Sequence, residues 1–114
     1  MDPNESHKFM PINSSLPGFS AAVTATGTCF KLESSDRKWG SPTNRYVRIT
    51  AFSANDIFVS FGTTIDTDVP STLASMLLLM PDTYVIPVRP STPGMGLKTF
   101  GASSTYYVVL GMIG

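Results

Sequence analysis

Tyr46–Thr64 reads YVRITAFSANDIFVSFGTT, and its alternation decides the fold. Val47, Ile49 and Ala51 alternate with Arg48, Thr50 and Phe52; Ile57, Val59 and Phe61 alternate with Phe58 and Ser60. A period of two places each apolar set on one face of an extended strand. Between the two runs lies Ser53-Ala54-Asn55-Asp56, residue types that turn a chain by bonding their own backbone. The pattern predicts a β-hairpin with one buried face, closed at Gly62. Its outward set includes Tyr46, Phe52 and Phe58, which predicts that this second face is partly covered by another segment or a partner.

On the N-terminal side, Ala21–Leu32 (AAVTATGTCFKL) reads as the first strand, with Val23, Ala25 and Cys29 on one face and Thr24, Thr26 and Thr28 on the other. Gly27 interrupts it and predicts a bulge or a close backbone approach. Residues 1–20 carry Pro3, Pro11 and Pro17 without apolar periodicity, so an extended N-terminal arm is expected there. Its anchors Phe9, Met10, Ile12, Leu16 and Phe19 are more than a solvated tail needs. They are expected at an interface with a neighbouring subunit, or folded back over the chain's own sheet. The loop from Glu33 to Asn44 holds Arg37 and Lys38 directly before the aromatic Trp39. Trp39 is expected to cap the core or to anchor an interface.

On the C-terminal side, Met76–Met80 between Ser75 and Pro81 fits a short buried strand, and Thr83–Arg89 a second one with Tyr84, Ile86 and Val88 on one face. Pro87 cannot donate to a ladder, which assigns that strand to an edge or a bulge. Pro90–Gly96 reads as a loop, Leu97–Phe100 as a short strand and Thr105–Ile113 as the last strand. The last strand is apolar on both faces, so it is expected at the centre of a sheet or against a partner. Roughly six to eight short strands at roughly ten-residue spacing, with Gly/Pro turns, predict an all-β chain. The expected architecture is one antiparallel β-sandwich, jelly-roll-like, over residues 21–114. Its core is expected from Val47, Ile49, Ile57, Val59, Phe61, Ile86, Val88, Val108 and Leu110.

The 114 residues carry 8 basic and 8 acidic side chains, and only 14% are charged against an ordinary ~25%. Either Ser and Thr hydroxyls solvate the surface or subunits cover much of it. A net charge of zero argues against binding nucleic acid or an anionic membrane. Cys29 is the only cysteine, so no internal disulfide forms; it reads as a small buried filler. The start MDPNESHKF lacks the basic and apolar regions of a signal peptide, and Met76–Met80 is too short to span a bilayer.

Little in the sequence carries chemistry. His7 is the only histidine, and no G-x-S-x-G elbow, phosphate-cradling glycine loop or Cys/His pair at metal spacing occurs. Asp66 and Asp68 resemble half of a calcium loop that lacks its glycine and its closing glutamate. No enzyme activity, cofactor or metal is expected. A sugar site would need an exposed aromatic beside polar side chains, for which Trp39 with Asp36 and Asn44 is the candidate.

Three segments carry a resemblance: YVRITAFSANDIFVSFGTT, LLLMPDTYVIPV and FGASSTYYVVLGMIG. Their order, a V-R-I-T … F-V-x-F-G pair, a strand that opens on a proline and ends hydrophobic-x-V, and a final aromatic-hydrophobic-x-x-G strand, resembles small β-sandwich virion proteins of tailed bacteriophages. The matching elements are Val47 to Gly62, Pro81 to Val88 and Tyr106 to Gly111. The resemblance implies a capsid decoration or cement protein on the virion surface, made in the host cytoplasm. It would bind the major capsid protein and itself, as a dimer or trimer, with no nucleic acid and no membrane. A head–tail connector, neck, tail or fibre component is the alternative within the virion. A non-viral β-sandwich binding module is the alternative outside it.

Overall fold

The computed structural model describes residues 8–51, 55–62, 76–90 and 92–114. Their regular elements are nine strands in two antiparallel sheets, with no helical element. In chain order these are β1 (Phe9–Pro11), β2 (Gly18–Val23), β3 (Thr28–Lys31), β4 (Tyr46–Ala51), β5 (Ile57–Gly62), β6 (Met76–Leu78), β7 (Asp82–Pro87), β8 (Gly94–Thr99) and β9 (Ser104–Ile113). In the first sheet β9 pairs with β4, and β4 with β7; the far side of β9 is shared by β1 and β2 end to end. The second sheet runs β3-β8-β5-β6.

The expected hairpin does not form. β4 pairs with β9 and β7, whereas β5 pairs with β8 and β6, so residues 46–62 arch from one sheet to the other. The physical reason is that alternation reports which face is buried, not who the neighbour is. Val47, Ile49 and Ala51 meet Ile57 and Val59 across the core instead of beside them in one sheet.

The same correction applies to Ala21–Leu32. β2 belongs to the first sheet and β3 to the second, and the chain crosses over at residues 24–27. Gly27 takes φ 97°, in the left-handed region open to glycine, and donates its N–H to the Thr24 carbonyl at 3.1 Å. The Thr24 carbonyl also accepts from the Thr99 N–H at 3.2 Å, which fixes the crossover to β8. Ala25 is consequently exposed. Cys29 lies opposite Gly96 and Ser60 in register, on the outward face of the second sheet, and is half-buried rather than a core filler.

Other boundaries also moved. β8 starts at Gly94, so part of the expected loop is strand, paired with β3 on one side and β5 on the other. β6 is shorter than Met76–Met80, and only Leu78 of its residues is buried. β7 carries Pro87 and pairs with β4 alone among the described residues, the position its missing donor requires. β9 is central, as one of the two readings of its apolar faces requires. Residues 9–11 and 18–20 are strands paired along β9 in the first sheet, in place of an arm laid over it, and the expected boundary at residue 20 falls inside β2.

One hydrophobic cluster fills the space between the sheets, which makes the pair sandwich-like. Val47, Ile49, Ile86, Val88, Val108 and Leu110 enter it from the first sheet or its ends, and Ile57 and Val59 from the second; Phe61 packs against it half-buried. Burying each such aliphatic side chain contributes about 1.5–3 kcal/mol.

Tyr106 is fully buried in that cluster and donates its hydroxyl to the Asn55 carbonyl. Burial is the main cause holding its phenol above the ordinary range; the Asp56 carboxylate adds to this and a hydrogen bond with Ser104 opposes it. A raised folded pKa means that the neutral phenol's contribution is complete below the unfolded value, about 10, and is lost as pH rises past it. Urea unfolding is therefore expected to show stability falling above about pH 10, with a shallower fall in Tyr106→Phe. Equal slopes in the two proteins would contradict this assignment.

Candidate functional site

The described surface offers three places where side chains converge. The first is the end of the sandwich near Trp39. The Trp39 indole N–H donates to the Gly111 carbonyl at 2.9 Å, and its backbone N–H donates to Glu33 Oε2 at 3.0 Å. Arg45 lies over the ring at 5.3 Å and reaches Glu33 at 3.7 Å, the one ion pair among the described residues. Beside it, the Asn44 side chain accepts from the Ile113 N–H at 3.1 Å and donates to the Ile113 carbonyl at 2.9 Å. That amide takes the place of a strand neighbour beyond the start of β4. Trp39 thus caps the core as a buried side chain; it presents no interface anchor. A sugar platform built on it with Asp36 and Asn44 is excluded for the same reason, since the ring faces protein.

The second place is a notch on the outward face of the first sheet. Gly111 leaves a gap there, and the Phe9 ring fills it, with the Arg48 guanidinium over the ring at 5.1 Å. Of the five expected arm anchors, Phe9 and Ile12 are buried and Phe19 is half-buried against the core, so this chain's own sheet takes them up. Phe19 stacks with Phe30 at 5.8 Å and carries the Arg37 guanidinium at 4.5 Å. Arg37 also donates to the Leu32 carbonyl at 2.7 Å, and burial lowers its pKa from the ordinary value. Met10 and Leu16 stay exposed, Leu16 at 64%. Only these two of the five remain open to another molecule.

Two residue rows cross the same face. Ser20, Tyr107, Thr50 and Thr83 stand side by side on β2, β9, β4 and β7, and Gly18, Val109, Arg48 and Val85 form the next row. A shallow concavity of about 400 Å³ is lined by Arg48, Thr50, Thr83, Tyr107 and Val109. A second, of about 510 Å³, adjoins it through Tyr107 and Val109 and reaches Leu16, Ser20 and Arg37. Sequence reasoning missed this arrangement. Alternation did point Arg48 and Thr50 outward, but their neighbours come from strands 33 to 61 residues away along the chain.

The third place is the outward face of the second sheet. Leu77 is the register partner of Phe58, and the Phe58 ring meets Phe100 edge-on at 5.9 Å. Phe100 is 64% exposed and Leu79 61%, with Leu77 nearly half exposed. Leu77, Leu79 and Phe100 thus form a gathering of exposed apolar side chains.

Among the described residues no three His, Cys, Asp or Glu side chains gather as a metal-ion set, and no helix is long and apolar enough to cross a membrane. His7, Asp66 and Asp68 lie outside the described residues. No protein-family model, curated protein or solved structure matches the chain.

Proposed function

We propose that the chain is a virion structural protein of a tailed phage, of the capsid decoration or cement type. It binds the major capsid lattice as a small homo-oligomer and reinforces the head. The observation that carries this reading is the exposed cluster of Leu77, Leu79 and Phe100 with Phe58 beneath it, on a chain with few surface charges. Such a cluster marks a surface meant to be covered. Repeated at symmetric lattice sites, modest buried area becomes firm attachment through avidity.

β1 with β2 pairs β9, β3 pairs β8, β4 pairs β7 and β5 pairs β6. The pairs are nested, first with last, as in one long hairpin folded between β5 and β6 and rolled up. That nesting supports a jelly roll, an architecture that viral capsid proteins share with lectin domains. Architecture alone does not assign function. The virion reading draws in addition on the likeness of Val47–Gly62, Pro81–Val88 and Tyr106–Gly111 to phage proteins.

Introducing Leu77→Glu and Phe100→Glu together is expected to leave the fold intact and to weaken binding to purified heads at least about tenfold, from loss of anchor burial. Label on the wild-type protein should spread over the head; label at a single vertex would favour the connector alternative. Unchanged binding by the double variant, or no binding of the wild type to particles, would overturn the reading.

A further inference from the structure

We infer that the outward face of the first sheet is a binding site for an acidic saccharide, held by the row Ser20, Tyr107, Thr50 and Thr83 and by the Arg48 guanidinium. This goes beyond the capsid reading and does not depend on it, because the Leu77–Phe100 cluster lies on the other sheet.

The shape comes first. Two adjoining concavities share Tyr107 and Val109, giving an open trough across the strands instead of a closed pocket. The row spans three inter-strand spacings, about 14 Å, long enough for an extended ligand lying across the sheet. Tyr107 stands near its middle and is 45% exposed. The exposed part of such a ring offers a flat apolar surface to the C–H face of a sugar ring.

The polar groups fit the same ligand. The Thr50 and Thr83 hydroxyls lie 3.2 Å apart and bond to each other. Each hydroxyl has one donor and two acceptor positions, so this bond leaves capacity for a polyhydroxylated ligand. Ser20 adds a hydroxyl on the other side of Tyr107. Arg48 supplies the charge. Its contact is the Phe9 ring, and no carboxylate pairs with it among the described residues. A guanidinium is a planar fork that takes a carboxylate through two parallel bonds. Among the described residues, neither concavity is lined by an acidic side chain. Charge complementarity therefore selects an acidic sugar, of the uronic or sialic type, over a neutral one.

Other occupants fit less well. A nucleic acid would need a track of several cations, and the chain has no net charge. A peptide adds to a free sheet edge or sinks side chains into apolar pockets. Here the backbone groups of β9 and β4 are engaged on both sides, and the floor is hydroxyls around Val109.

The test titrates the full chain with oligogalacturonate, hyaluronate oligomers and sialyllactose, using dextran as the neutral probe and poly-glutamate as the acidic peptide. Backbone amide shifts and calorimetry are the readouts. At least one acidic saccharide is expected to bind, shifting the amides of Ser20, Thr50, Thr83 and Tyr107. Arg48→Gln and Tyr107→Ala should each weaken it at least about tenfold. Lys98→Gln, on the second sheet, should leave binding unchanged. Thr83→Val provides a further variant should Tyr107→Ala not fold, and it should weaken binding while the chain stays folded by circular dichroism. Four results would overturn the inference: no acidic saccharide binds, dextran binds equally, poly-glutamate binds as tightly, or Lys98→Gln weakens binding as much as Arg48→Gln.

Discussion

Replacing Trp39 with alanine is expected to lower the free energy of unfolding by about 3–5 kcal/mol, the range for removing a large buried aromatic. Two effects add. The indole is 6% exposed and packs in the core cluster, so its loss leaves a void at the end of the sandwich. The Gly111 carbonyl also loses its N–H donor at 2.9 Å. Trp39→Phe separates the two, since it keeps most of the ring volume and removes only the donor. It should cost about 1–3 kcal/mol, the penalty for a buried acceptor left without a partner. Trp39 is the only tryptophan, so unfolding of the variants must be followed by circular dichroism in urea. Against a total stability of about 5–15 kcal/mol for such a domain, the alanine variant should shift the midpoint severely. An alanine variant within about 1 kcal/mol of wild type would contradict the buried cap.

Gly111→Ala is expected to be the other severe change. A Cβ at this position would collide with the Phe9 ring and with the Met10 backbone carbonyl. The ring can swing away, but the carbonyl belongs to β1, which is paired to β9 at Met112 and Gly111. Accommodating the methyl therefore means displacing β1. The expected cost is about 1–3 kcal/mol for overpacking. It should appear first as faster amide exchange at Met112 and Ile113 and as proteolysis near Phe9. Adding Phe9→Ala removes one of the two obstacles. The double variant should thus be less destabilised than the sum of the two single changes. Strict additivity would mean that the ring does not seat over Gly111.

Much of the inward face was readable from residue order. Alternation placed Val47, Ile49, Ile57, Val59, Val108 and Leu110 on core-facing positions, and all six are buried. Pro87 marked an outer strand because a missing N–H excludes a central place. Pairing was not readable. A strand arching between sheets and a strand folding into a hairpin present the same periodicity, so Ile57 could have faced Ala51 in one sheet or across the core. Gly27 was visible as a break, but its role as a crossover depends on the Thr24 carbonyl meeting Thr99, 75 positions away. The candidate surface was hidden for the same reason. Arg48 and Tyr107 each look like a solvated strand residue until β4 and β9 are laid side by side. The five apolar anchors near the N-terminus signalled burial correctly for Phe9 and Ile12, yet the surface that takes them in is this chain's own.

The way β1 and β2 share one side of β9 bears on how copies of this molecule can meet. The strip they present is interrupted by six residues between Pro11 and Gly18, and Pro11 and Pro17 contribute no donors to it. At the opposite border Pro87 removes another donor, and in the second sheet the outermost strands β3 and β6 are only four and three residues long. No border among the described residues offers a long, unbroken row of amide groups to a second chain, the template on which runaway ribbon growth depends. Lateral strand addition is thereby disfavoured. A second copy of the chain finds no such edge along which a ribbon of strands could lengthen.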